Sequence, residues 1–96
     1  MAVGSRPSNT SDTAILARLI RPEADNLPAS AADAWLAIRF EKGDLDRMHE
    51  LTTRNQAGQL SRKEKTELEN YRRVSFLLDL MHSKARRSLK RRQAVH

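Results

Sequence analysis

The stretch LSRKEKTELENYRRVSFLLDLMHSKARRSLKRR, residues 60–92, decides how this chain folds. Ser61-Arg62-Lys63-Glu64 is a complete S-x-x-E capping box, and Leu60 stands in the staple position before it. No glycine or proline follows Gly58, so nothing interrupts a helix once Ser61 has opened it. The box predicts a helix of about 27 residues, roughly 40 Å long. Leu68, Tyr71, Val74, Leu78, Met81, Ala85 and Leu89 share one stripe of that helix, about 3.5 residues apart. Leu77 widens the stripe, and Phe76 and Leu80 lie on the opposite side. A helix that is apolar on two faces has to be covered on two faces. Either the rest of the chain wraps it as a central post, or one face meets another molecule. The second reading makes Tyr71, Phe76, Leu77 and Leu80 the candidate partner-binding residues, for a protein partner or for a second copy in a homodimer.

Working back toward the N-terminus, Gly58 reads as the stop of a medium helix that carries Leu45, Met48 and Leu51 and is capped by Asp44. Before it, Ser30 with Asp33 three residues on predicts a second start, and Gly43 either its stop or the entry to the next helix. Trp35 sits on the apolar face of that helix with Ala31, Ala34 and Ile38 and reads as core. Ser11 and Asp12 are cap candidates for a first helix with Ile15, Leu16, Leu19 and Ile20, stopped by Pro22. Residues 1–10, MAVGSRPSNT, show no apolar periodicity and read as a disordered leader. Alternating apolar residues never persist for four positions, so no strand is expected. The expectation is an all-α fold: a small bundle of two short helices, one medium helix and one long C-terminal helix. A helical domain at 11–83 is followed by a basic extension at 84–96 that continues the last helix.

Ninety-six residues, 39% hydrophobic and 31% charged, suit one small domain. There is no cysteine, which excludes disulfides, thiolate metal sites and a cysteine nucleophile. No apolar run is long enough to span a membrane, and no signal-peptide pattern opens the chain. The expected location is cytoplasmic. The formal charge is +6, and its position is more informative than its size. Lys84, Arg86, Arg87, Lys90, Arg91 and Arg92 crowd into nine positions, while residues 1–83 balance twelve bases with twelve acids. A polyanion, most simply nucleic acid, would feel this end of the chain, so these six are the candidate phosphate-binding residues. They also complement the helix macrodipole, which is the purely structural explanation.

Catalytic patterns are absent. His49 and His82 have no second histidine or carboxylate three or four residues on, and His96 is terminal, so no metal is expected. Ser61 reads as a cap rather than a nucleophile, and three scattered glycines make no phosphate-cradling loop. The expectations are no cofactor, no small-molecule ligand, no membrane and no enzymatic activity.

Four blocks carry a resemblance: AILARLIRP at 14–22, DRMHEL at 46–51, AGQLSRKEKTELENYRRV at 57–74 and, most distinctive, HSKARRSLK at 82–90. From Thr13 to Lys90 the chain resembles a small all-helical bacterial family of uncharacterised function, whose members are often encoded beside an HNH-type nuclease. The resemblance implies an accessory or antitoxin-like partner of a nuclease. It also implies that Ser83–Lys90 and Tyr71-Arg72-Arg73 take part in the function. Together these readings lead to a non-catalytic accessory protein that docks a partner through its long helix and touches nucleic-acid phosphates through its basic end. The alternatives are a stand-alone, sequence-nonspecific DNA- or RNA-binding dimer and a structural helical subunit of a larger assembly.

Overall fold

The computed structural model describes residues 9–94. Four helices follow in order: α1 (Asp12–Ile20), α2 (Ala29–Leu36), α3 (Lys42–Gln56) and α4 (Arg62–Ala94). The fold is all-α, with α4 as its long member. The leader expected at 1–10 lies outside the described residues except for Asn9 and Thr10, and so do the last two residues of the expected basic extension.

α4 begins as the capping box requires. The Ser61 amide donates to Glu64 Oε1 at 3.0 Å, and the Glu64 amide donates to Ser61 Oγ at 3.1 Å. The turn before it is closed by Gly58, at φ 69°. The Gly58 amide bonds the Asn55 carbonyl and the Gln59 amide bonds the Arg54 carbonyl. This is the paired Schellman arrangement, which needs a left-handed residue at the Gly58 position. Leu60 then drops into a buried cluster with Leu51 and Leu68, against which Tyr71 packs.

α1, α2 and α3 each pack against α4, and none of the three packs against another. The result is a plate of 52 × 42 × 17 Å with a radius of gyration of 17.3 Å. A compact chain of this length would be near 13 Å. α4 is therefore a central post, but its coverage is partial. Val74 and Phe76 remain about half exposed, and so do Ile38 and Leu45. α1 contains no buried residue, and its Leu19 is 73% exposed.

Three local expectations are corrected. α2 starts at Ala29 behind Pro28, so Ser30 lies inside the helix and caps nothing. α2 also ends seven residues before Gly43. The Ala37 amide is shared between the Asp33 and Ala34 carbonyls, and the Ile38 amide bonds the Trp35 carbonyl; this tightening ends the helix. Ile38 and Phe40 then leave the helix for contacts with α4. His82 Nε2 meets the Ile38 carbonyl at 2.8 Å, and the Phe40 ring stands edge-on to Tyr71 at 6.1 Å. α3 starts at Lys42, so Gly43 sits in its first turn. Asp44 does not cap α3 but accepts from the Tyr71 hydroxyl at 2.8 Å.

Charged groups lock α3 to the first half of α4. Arg47 forks onto Glu67 with bonds of 2.7 and 2.8 Å. Arg54 reaches Glu64 Oε1 at 3.0 Å. Glu64 thus caps α4 with one carboxylate and ties in the end of α3 with the same group. The Ser61 amide and then the Arg54 guanidinium hold its carboxyl down at about 2. Glu67 is lowered by its hydrogen bonds from Arg47. Both groups ionise more readily folded than unfolded, so their stabilisation is present above the ordinary carboxylate range and fades as pH falls toward 2. Thermal melts from pH 6 to pH 2 should show a steep acid limb; Glu64→Gln should lower the melting temperature at neutral pH and make that limb shallower.

Arg21 ends α1 at φ 52°, the left-handed region that costs a residue with a side chain about 1–2 kcal/mol. Its amide still closes the helix on the Ala17 carbonyl at 3.3 Å, and Pro22 prevents continuation. Arg21→Gly should raise stability by about 0.5–1 kcal/mol after the entropy cost of glycine, read as a higher urea midpoint at unchanged slope.

Candidate nucleic-acid interface

The six bases of residues 84–92 fall into two groups, because α4 continues unbroken through them. Lys84, Ser88 and Arg92 are four residues apart and share a face with Ala85, which is fully buried. That face lies against α2 and the segment joining α1 to α2. Ala32 of α2 is also fully buried; alanines and a serine leave room for the helices to close. Lys84 is only 5% exposed. Its ammonium donates to the Ile20 carbonyl at 2.8 Å and lies 5.7 Å from the centre of the Trp35 ring. Ile20 is the last residue of α1, so its carbonyl belongs to the unsatisfied, negatively polarised helix end. Ser88 Oγ accepts from the Leu27 amide at 3.2 Å, and Arg92 Nε donates to the Leu27 carbonyl at 3.1 Å. Arg87 Nε reaches Asp25 Oδ1 at 3.0 Å.

Lys84 is therefore committed to the fold, and Arg87 and Arg92 hold the α1–α2 connection while staying partly accessible. Arg86, Lys90 and Arg91 are exposed. Among the described residues, no carboxylate lies within ion-pair distance of these three; the only acid engaged with this segment is Asp25, on Arg87. Arg72, Phe76, Asp79, Ser83, Arg86 and Lys90 follow each other at alternating spacings of four and three, so they share the outward face of α4. The stripe has three bases to one acid. It repels a second copy of itself and attracts a polyanion.

The four candidate partner-binding residues do not form one surface. Tyr71 is half-buried, against the leucine cluster and Phe40. Leu77 and Leu80 are partly buried toward the short helices, while Phe76 alone is exposed on the outward face. Two concavities border the α2–α3 connection. One, of about 320 Å³, is walled by Phe40, Leu45, Met48 and Leu78, with Ser75 Oγ buried there without a hydrogen-bond partner. Another, of about 290 Å³, lies on the Tyr71 and Val74 side of Phe40. Among the described residues, no three histidine or acidic side chains are grouped to hold a metal, and no helix is long and apolar enough to cross a membrane.

Reading residues 84–92 as one cationic block missed the structural pairings, because the partners of Lys84 and Arg92 are backbone carbonyls, which carry no sequence signature. The 84, 88, 92 spacing beside Ala85 was the available signal. No family model matches the chain, and neither a curated protein nor a solved structure matches it.

Truncating the inward group should unfold the protein more easily than truncating the outward one. Lys84→Ala leaves the Ile20 carbonyl without its charged donor and removes the contact over Trp35, and should cost about 1–3 kcal/mol. Arg86→Gln should stay within about 0.5 kcal/mol of wild type. Urea unfolding of the two variants provides the comparison.

Proposed function

We propose that this is a non-catalytic binding protein that grips nucleic-acid phosphates through the exposed bases of the α4 C-terminal half. The observation that carries this reading is that Arg86, Lys90 and Arg91 are exposed and have no ion-pair partner among the described residues. Three exposed cations within six positions of one helix, with no acid among the described residues to neutralise them, form a surface that phosphates would neutralise. Contacts of this kind neutralise the backbone and position the duplex without carrying sequence information.

The thin plate supports the second half of the proposal, a docked protein partner. Half-exposed Ile38, Leu45, Val74 and Phe76 are apolar surface that the three short helices leave uncovered. The resemblance to proteins encoded beside HNH-type nucleases points to an accessory, antitoxin-like role. The charge favours sharing nucleic acid with such a partner over imitating it, since a basic surface cannot mimic a polyanion.

Binding to a duplex should weaken with salt along a log–log slope of about −2.7 for three neutralised phosphates, or about 40-fold between 50 and 200 mM. Replacing Arg86, Lys90 and Arg91 together with glutamine should flatten the line while leaving the melting temperature near wild type. Wild-type affinity that is unchanged across that salt range would sink the proposal.

A further inference from the structure

Among the described residues, Asp25 is the one acid engaged with the basic segment of α4. It lies in the segment between α1 and α2, held against Arg87 at 3.0 Å. Asp25, Arg87, Lys90 and Arg91 together line a shallow notch of about 320 Å³ on the surface. Arg87 thus belongs to two systems at once. It pairs with Asp25, and it borders a concavity whose other cations, Lys90 and Arg91, have no acid partner among the described residues. The Asp25 and Arg87 side chains keep about a third and two-fifths of their surface in contact with solvent. An ion pair at that exposure is worth little and exchanges readily.

We infer that this notch is a phosphate subsite, and that Asp25 is its resident competitor. A phosphate entering between Lys90 and Arg91 takes over the Arg87 guanidinium from the Asp25 carboxylate. The guanidinium fork suits the exchange, since it offers phosphate oxygens the same paired donors it offers a carboxylate. The segment holding Asp25 need not unfold when this happens. Its Leu27 amide and carbonyl remain fixed by Ser88 and Arg92, and the end of α1 by Lys84. Asp25 weakens binding in two ways: it occupies Arg87, and it places a negative charge beside the incoming phosphate. The inference rests on the phosphate-binding reading above and adds one contact to it, Arg87, together with the group that restrains it.

The test is the salt dependence of binding to a fluorescently labelled duplex of mixed sequence by three proteins: wild type, Asp25→Asn and Asp33→Asn. Asp33 is an exposed acid on α2 with no ion pair among the described residues, so its variant makes the same change in net charge away from the notch. Asp25→Asn should bind more tightly than either. It should also steepen the log–log slope by about 0.9, so that affinity falls about 3.5-fold further between 50 and 200 mM salt. The steepening should vanish when Arg87→Gln is added to Asp25→Asn. Equal slopes for the two asparagine variants would overturn the subsite, even if the wild type binds with the slope expected of Arg86, Lys90 and Arg91. A flat wild-type line would instead remove the phosphate-binding reading itself. An arm without substitution covers any loss of folding: the Arg87 Nε–H resonance of wild-type protein should move on titration with the duplex, and with inorganic phosphate if the notch takes the free anion. A resonance that stays fixed at saturating duplex would overturn the inference.

Discussion

One buried cation organises this molecule. The Lys84 ammonium projects from α4 under the Trp35 ring of α2 and ends on the last carbonyl of α1. Three helices meet at a single side chain. Removing an ammonium from water is costly unless hydrogen bonds and polarisable groups replace the lost solvation. Here a helix C-terminus and an aromatic face do so, and both are suited to positive charge. The remaining contacts of this end follow from that placement. With Lys84 turned inward, Ser88 and Arg92 follow on the same face and take the Leu27 amide and carbonyl. The other end of α4 is held differently, by three leucines and by Arg47 and Arg54 on the carboxylates of Glu64 and Glu67. The two ends of the post thus use unlike chemistries, apolar burial with paired charges at one and a cation among dipoles at the other.

The same placement sorts the basic segment. A run of six cations in nine residues reads as a solvated tip, but helical geometry distributes it around the axis. The bases on the face shared with Ala85 serve structure, and those on the face shared with Asp79 do not. Position around the helix, more than total charge, determines which bases a ligand meets.

The Ser61–Glu64 box, Gly58 as a left-handed stop and Pro22 as a barrier each involve residues a few positions apart, and each is found as read. The Ser30–Asp33 start and the Asp44 cap are equally local and fail, because Pro28 already opens α2 and Asp44 is taken by Tyr71. The second helix was misread because its apolar spacing continues through Ile38 and Phe40. The Phe40 ring is spent on Tyr71 of α4 and the Ile38 carbonyl on His82, and the chain bends away from helical geometry to deliver both. The four candidate partner residues are spread over different surroundings for a related reason. Tyr71, Leu77 and Leu80 look redundant on a wheel until the short helices are placed around it. Asp25, in a connection with two prolines, gave no sign that it faces Arg87, sixty-two residues away.

The absence of lateral contact among the three short helices governs how the molecule opens. α1 and α2 are joined only through α4, where Lys84 meets both, while α3 is fastened separately by Arg47, Arg54 and the leucine cluster. Loosening α1 leaves the α3 clamp intact, and the reverse holds equally. Such a construction opens in two pieces at different free energies, not in a single cooperative event. Damage at the Lys84 end adds to damage at the α3 clamp with little coupling between them. α1, which buries none of its residues, is the helix whose amides exchange with solvent first.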